Sequence, residues 1–227
     1  PLILKQSKLI LCNSISTAND LHRFYKVPMH KLFPIKLGFN NKKYYPIKKN
    51  RKKFFLIIGR HNPHKNLRRV IKAFAYSKIN DYKLIFVGPF DKRHTPILLK
   101  LIDKHNIRHL CVWKGWIDDD EKLSLLNECH ALIIASLWEG FGLPALEAMA
   151  CGTPVIASDR GALREVMGNY GYFINPFNIQ SIACAMKAVI NDKKCFEKAL
   201  QEGPSRAESF NWLDTARTIE KIIQEID

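Results

Sequence analysis

Short apolar runs alternate with amphipathic segments along most of this chain. Residues 54–59 and 83–88 have the length and continuity of strands buried on both faces, and residues 67–77 between them carry apolar positions at helical spacing. The same pattern predicts strands at 109–114, 130–136, 153–157 and 171–174, and helices at 97–105, 118–129, 144–150 and 162–167. Strands that alternate with helices indicate an α/β fold, a Rossmann-like parallel sheet with helices on both faces.

The first fifty residues differ from the rest. Strands predicted at 8–13 and 31–38 flank a helix at 18–25, and residues 39–53 are polar and basic around Pro46, which is typical of a linker. We therefore predict one part over 1–50 and a second, Rossmann-like domain over 51–227. From residue 178 onwards the pattern is helical; Asn211 is the expected N-cap of the last helix, whose apolar stripe extends from Leu213 to Ile226.

Composition is that of a globular protein with a sizeable core, with 47% apolar and 25% charged residues over 227 positions. The six cysteines form no C-x-x-C pair and most lie in apolar runs, so we expect reduced core thiols in an intracellular protein and no metal site. No run approaches the roughly 18 apolar residues of a membrane-spanning helix. A cytoplasmic location is the expectation.

Positive charge is concentrated in the first half of the chain. Residues 1–110 contain 25 lysines and arginines and 4 acids, whereas the remainder contains 11 and 17. Seven cations crowd residues 42–53. Such a field attracts nucleotide diphosphates, anionic lipid headgroups or nucleic acid. A solubilising surface explains the same charge equally well.

The most informative motif is a turn between a predicted strand and a helix, formed by Glu139, Gly140, Phe141, Gly142, Leu143 and Pro144. Glycines allow a sharp turn and a close approach of backbone N–H groups to a ligand, and Pro144 suits a first helical position. The helix start then offers positive potential to a phosphate or a sugar. Glu147, placed in the first helical turn, could bond both hydroxyls of a ribose. Alternatively Glu147 only complements the helix dipole and Glu139 is solvated.

A second candidate segment, 59–66, also joins a strand to a helix. Arg60 and Lys65 could hold a diphosphate from two sides, Gly59 ends the strand, and Asn66 is placed to cap the helix that follows. Two exposed cations in a basic chain are the alternative.

A third segment follows the strand predicted at 109–114. Gly115, Trp116 and Ile117 could pack on a nucleobase, although Trp116 suits a core position as well. Isolated histidines such as His61 suggest catalysis only weakly, and neither a catalytic triad nor a phosphate-binding P-loop motif is present.

The run from Glu139 to Asp159, EGFGLPALEAMACGTPVIASD, resembles the signature of retaining nucleotide-sugar glycosyltransferases of the GT-B fold, in the large family 4. The segment GRHNPHKN from Gly59 to Asn66 resembles that group's other landmark. The resemblance implies two Rossmann-like domains that face each other across a cleft, with the donor held mainly by the C-terminal one. Residues 1–50 would then be the end of the N-terminal domain and the linker.

By the same resemblance, Arg60 and Lys65 would bind the diphosphate and act in catalysis together with Glu139. Glu139 and the backbone of Gly140, Phe141, Gly142 and Leu143 would hold the sugar, Glu147 the ribose, and the region of Ile117 the base. Transfer of a hexose, with a lean towards mannose, would retain the donor's anomeric configuration. No metal and no cofactor other than the GDP- or UDP-linked donor is expected.

Partners and alternatives follow from these features. The acceptor would be a polysaccharide or a lipid-linked glycan, and the cations of residues 42–53 would bring the protein to an anionic membrane at its inner face. A GT-B-fold sugar-nucleotide epimerase is one alternative. A non-catalytic module for polyanions or nucleic acid is another, but the basic half lacks an interleaved aromatic platform, so no nucleic acid is expected.

Overall fold

The computed structural model describes residues 2–225, in which strands and helices alternate as the pattern predicts. The strands are β1 (Ile10–Cys12), β2 (Leu32–Pro34), β3 (Phe54–Ile58), β4 (Lys83–Val87), β5 (Cys111–Lys114), β6 (Ala131–Ile134), β7 (Val155–Ser158) and β8 (Tyr172–Ile174). The helices are α1 (Leu2–Gln6), α2 (Ile15–Tyr25), α3 (Leu67–Ser77), α4 (Thr95–Lys104), α5 (Asp119–Glu128), α6 (Leu143–Ala150), α7 (Leu163–Met167), α8 (Ile179–Asn191), α9 (Cys195–Glu208) and α10 (Trp212–Gln224).

The large sheet is parallel throughout and has the strand order β5-β4-β3-β6-β7-β8. The chain begins this sheet at β3, adds β4 and β5 on one side, and then returns to add β6, β7 and β8 on the other. In open parallel sheets, ligands bind beyond the carboxyl ends of the strands at the point where the order reverses. Here that point lies between β3 and β6.

Strand β3 shows why its sequence is apolar without interruption. Successive side chains point to opposite faces of a strand. Phe54 and Leu56 join the core formed with α5, α6, α7 and α9, whereas Phe55 and Ile57 join the core formed with α3, α4 and α8. Both faces of the sheet are therefore covered, and the predicted α/β fold is confirmed.

A second, two-stranded parallel sheet pairs β1 with β2, with α2 between them in sequence. Residues 35–53 connect it to the large sheet, and Phe39 and Tyr44 in this connection are buried. Helix α10 returns to the connection, because the Thr215 hydroxyl donates to the carbonyl of Lys36 at 2.7 Å. The boundary near residue 50 stays a prediction.

Several local expectations change. The helical tail is interrupted near residues 192–194 and 209–211, although Asn211 caps α10 as predicted by accepting from the Asp214 N–H. Ile226 lies outside the described residues. Cys184 is exposed on α8, so the expectation of a core thiol is wrong there. Within residues 2–225, no helix has both the length and the apolar character that crossing a bilayer requires.

The cations of residues 42–53 are mostly paired within the chain. Lys49 and Lys52 lie 3.2 and 2.6 Å from Glu128 carboxylate oxygens. Lys43 pairs with Asp119, and Lys53 lies 2.7 Å from Asp81. The half-buried Arg51 donates to the carbonyls of Leu126, Cys129 and Gly152. Three carboxylates therefore face four of the seven cations of this segment, which reduces its unbalanced charge.

Candidate functional site

One pocket lies at the switch point, where β3 and β6 end side by side. The loop after β3 leads into α3 and the loop after β6 leads into α6. Both loops line the pocket, with Gly59, Arg60, Lys65, Ser136, Glu139, Gly142 and Pro144. The fold thus brings the first two sequence motifs together.

Lys65 and Glu139 form an ion pair inside this pocket. The Lys65 Nζ donates to Oε1 of Glu139 at 2.6 Å, and the Ser136 hydroxyl donates to the same oxygen at 2.6 Å. The two charged side chains are only 22% and 14% exposed. Among the described residues, no group donates to Oε2 of Glu139, so this oxygen is available to a ligand. Arg60 lies exposed at the same pocket.

The helices α3 and α6 both start at this pocket without a side-chain cap, whereas Asp118 and Asn178 cap α5 and α8. The first N–H groups of an uncapped helix are free to bind an anion, and the helix dipole adds positive potential. Arg60, Lys65 and these helix starts give the pocket positive potential, which favours an anion, although Pro144 contributes no N–H at the start of α6.

Asn66 does not cap α3 through its side chain, so that prediction is wrong. Its backbone is left-handed, with φ of 59°, and its amide nitrogen donates to the carbonyls of Ala135 and Pro176 at 2.9 and 2.7 Å. The side chain therefore ties the loops after β6 and β8 to the start of α3. The helix terminus is left open as a result.

The residues of the EGFGLP turn differ in their burial and in the side chains that they contact. Gly142 adopts a φ of +104°, and a Cβ there would lie 2.7 Å from Cδ2 of Leu163. Phe141 is buried against Phe210, with ring centroids 5.9 Å apart, so its ring belongs to the core. Gly140 lies against Asn13, and Leu143 is half-exposed at the start of α6. Of Phe141, therefore, the backbone and not the ring is available to contact a ligand.

Glu147 is the fifth residue of α6, in its second turn rather than the first, and it does not line the pocket of Lys65. The Lys122 ammonium donates to its Oε1 at 2.6 Å. That ammonium also lies 2.6 Å from Oε2, so both oxygens of this largely buried carboxylate face one cation. Burial, with the nearby Glu147 and Asp119 carboxylates, raises the pKa of Tyr44, which keeps that hydroxyl protonated.

The loop after β5 presents an exposed surface. Trp116 is 81% exposed, so the core alternative for this ring is wrong, whereas Ile117 packs partly against the core. A Cβ on Gly115 would have no described atom within 4 Å. Phe90, which sequence reasoning missed, is also exposed after the neighbouring β4. Two exposed rings therefore follow adjacent strands.

Gly161 is a further residue that sequence reasoning missed. Its φ is +67°, and a Cβ there would lie 2.4 Å from the backbone oxygen of Glu139. The N–H of Ala162 donates to that same oxygen at 2.9 Å. The turn around Gly161 thus packs against the backbone of Glu139. The Asp-Arg-Gly sequence directly after an apolar strand is the sequence feature that predicts such a turn.

His61 is a buried side chain with a polar partner. His61 is buried, and its Nδ1 lies 2.7 Å from the Thr95 hydroxyl. Burial lowers the pKa of His61, which favours the neutral ring. Over the part of the chain that the structure describes, no three His, Cys, Asp or Glu side chains converge in a way that could hold a metal ion.

Comparisons with known proteins identify the family to which this chain belongs. Residues 40–206 match the family described as Glycosyl transferases group 1. The O-antigen chain mannosyltransferase B of Escherichia coli is 27% identical over 232 residues, which cover 95% of this chain and 60% of that protein. The O-antigen chain mannosyltransferase RfbU of Salmonella typhimurium is 31% identical over 187 residues, covering 82% of this chain and 52% of that protein.

A solved structure shows the same fold. Anabaena Alr3699/HepE, in complex with UDP and glucose, superposes with a TM-score of 0.89 at 20% identity, over 99% of this chain and 65% of that one. The chain spans between 20% and 60% of the length of the curated relatives it matches. The family match includes both loops of the pocket. This chain therefore belongs to the group 1 glycosyl transferases and has their GT-B type of fold.

Proposed function

We propose that this chain is the donor-binding half of a retaining glycosyltransferase. It would transfer a hexose, with mannose as the first candidate, from a nucleotide-diphosphate sugar to a polysaccharide or lipid-linked acceptor. The observation that carries the proposal is the Lys65–Glu139 pair, held in one pocket between two uncapped helix starts. Relatives named as mannosyltransferases and the fold shared with UDP-bound HepE support it.

Each part of the donor has a matching group in this proposal. The diphosphate lies against Arg60, Lys65 and the start of α3, where cations and free N–H groups meet. The sugar contacts Oε2 of Glu139 and the backbone of residues 140–143. Glu147 accepts hydrogen bonds from the ribose, for which its carboxylate has to separate from the Lys122 ammonium that lies 2.6 Å from each of its oxygens. The base lies against the loop after β5, near Ile117.

The chemistry assigned to these groups is electrostatic. As the glycosidic bond to the diphosphate breaks, negative charge grows on the leaving phosphate, and Arg60, Lys65 and the helix dipoles stabilise it. Glu139 stabilises the positive charge that develops at the anomeric carbon. Attack of the acceptor on the face that the diphosphate leaves, with that phosphate accepting the acceptor's proton, retains the anomeric configuration. The proposal requires no metal.

Calorimetric titration of UDP, GDP and ADP into this chain tests donor binding and identifies the base. We expect one of the three to bind clearly more tightly than the others, and Lys65→Ala to weaken that binding. Failure of all three to bind more tightly than inorganic diphosphate would contradict the assignment of a nucleotide site.

The epimerase and the polyanion module are not favoured, because the family match and the named relatives are transferases. An acceptor-free assay distinguishes the epimerase from the transferase, since an epimerase releases an isomeric sugar nucleotide and a transferase does not.

We also propose a cytoplasmic protein whose acceptor lies at the inner face of a membrane. The cations of residues 42–53 are poorly suited to that contact because most of them are paired.

A further inference from the structure

A groove lined by cations runs between α3 and α4, outside the donor pocket. Arg68 and Lys72 line it from α3, and Lys100 and Lys104 line it from α4. These two helices are neighbours on the same face of the sheet, so the four cations face one open surface. Their like charges add up along the groove.

This charge is not balanced by the surrounding residues. Helix α3 contains no acid. The acids on the side of α4 have other partners, since Asp103 bonds to Arg108 at 2.7 Å and Asp91 lies 3.8 Å from Arg93. Among residues 2–225, no carboxylate forms an ion pair with any of the four groove cations. The groove therefore differs from residues 42–53, where four of the seven cations form ion pairs with Asp119, Glu128 or Asp81.

The groove also has an apolar component. Leu101 and Ile179 contribute to its lining, and Tyr76 and Ile97 are exposed beside it by 58% and 46%. Lysine and arginine stems lie along apolar surface while their charges reach anionic headgroups, and tyrosine is favoured at the membrane interface. A single exposed ring does not provide the successive aromatic rings on which single-stranded nucleic acid stacks.

We propose that the α3–α4 groove binds the anionic surface of a lipid bilayer. Arg68, Lys72, Lys100 and Lys104 contact lipid phosphates, and Tyr76 and Ile97 enter the headgroup layer. Because α3 begins directly after Lys65 and Asn66, this contact holds the donor pocket next to the membrane. The proposal does not depend on which donor the pocket binds, or on whether the chain is catalytic.

The test uses the 227-residue chain and sedimentation with phosphatidylcholine vesicles that contain or lack phosphatidylglycerol. The groove variant combines Lys72→Ala, Lys100→Ala and Lys104→Ala. The matched control combines Lys42→Ala, Lys48→Ala and Lys193→Ala, which removes three exposed lysines elsewhere. Each cation near an anionic surface contributes about fivefold to affinity, so we expect the groove variant to bind about 100-fold more weakly and the control to bind like the unmodified chain.

Circular dichroism and thermal denaturation establish that both variants remain folded. Equal weakening in both would assign binding to net charge, and unchanged binding in the groove variant would assign it to another surface; either result overturns the proposal. Titration with single-stranded RNA at physiological salt is the second measurement. If the groove variant lost RNA binding but kept vesicle binding, the groove would be a nucleic-acid surface and the proposal would be wrong.

Discussion

Lys65 and Glu139 are 74 positions apart in the sequence, and their Nζ and Oε1 atoms lie 2.6 Å apart in the pocket. The pair joins the loop after β3 to the loop after β6. Each charge neutralises the other, and both side chains are held in the pocket that we propose for the donor. A bound diphosphate would compete with Glu139 for Lys65.

This competition gives opposite effects for the two partners. Lys65→Ala removes a charge-assisted hydrogen bond to the diphosphate, and we expect nucleoside diphosphate binding to weaken about 10- to 100-fold. Glu139→Gln removes the competing anion, so binding should be unchanged or tighter while turnover falls. Calorimetry with the preferred nucleoside diphosphate measures the affinity of both variants. Equal weakening in the two variants would show that Glu139 does not compete with the diphosphate for Lys65.

Asn66 is expected to matter for stability because its amide holds two loops together. In Asn66→Ala, the carbonyls of Ala135 and Pro176 lose a buried donor and alanine must occupy a left-handed backbone, at a total cost of about 3 kcal/mol. Asn106 is the matched control, since it is exposed and has a similar φ of 55°. Asn106→Ala should cost about 1 kcal/mol in the free energy of unfolding, measured with urea. Equal losses of stability in the two variants would mean that the hydrogen bonds of the Asn66 side chain contribute nothing.

Gly161 is expected to position Glu139. A methyl group at Gly161 would overlap the backbone of Glu139 at a left-handed φ, so Gly161→Ala should lower the free energy of unfolding by on the order of 3 kcal/mol and weaken donor-sugar binding. Gly115→Ala places its methyl group in open space and should change stability by less than about 0.5 kcal/mol. Thermal denaturation measures both. A stable Gly161→Ala variant with normal sugar binding would contradict this role.

Burial lowers the pKa of His61, so the folded state prefers the neutral ring. As the pH falls below about 7, an unfolded histidine binds a proton that the folded one does not, and stability decreases with falling pH. We expect His61→Leu to flatten this decrease by up to about 1.4 kcal/mol per pH unit. Urea denaturation between neutral and mildly acidic pH measures it. An unchanged slope would assign the effect to other groups, such as His130, whose pKa is lowered by burial too.

The features that the sequence predicts well are those set by local pattern. Helix α3 begins and ends as its apolar spacing predicts, and β3 is buried on both faces as its unbroken apolar run predicts. The meeting of Lys65 with Glu139 follows from the topology, because parallel strands place both loops at one edge of the sheet. These results need only periodicity and topology.

The features that the sequence does not predict depend on distant partners. Asn66 has the residue type and position of a cap, but carbonyls from two other loops take its amide. Arg51 lies among surface lysines in the sequence, yet its guanidinium donates to carbonyls 75 and 78 positions away. Gly161 acquires its role only when its turn packs against Glu139. No local window contains such contacts.

Residues 161–165 contact both parts of the molecule. Gly161 lies behind Glu139, and the Glu165 carboxylate accepts hydrogen bonds from the N–H groups of Ile15 and Ser16 at 2.9 and 3.1 Å, at the start of α2. A rotation of the small sheet relative to the large one must therefore break these bonds or displace α7. Displacement of α7 would also move Glu139, whose carboxylate is proposed to contact the sugar. Any movement of the small sheet towards the large one is thus coupled to the orientation of Glu139.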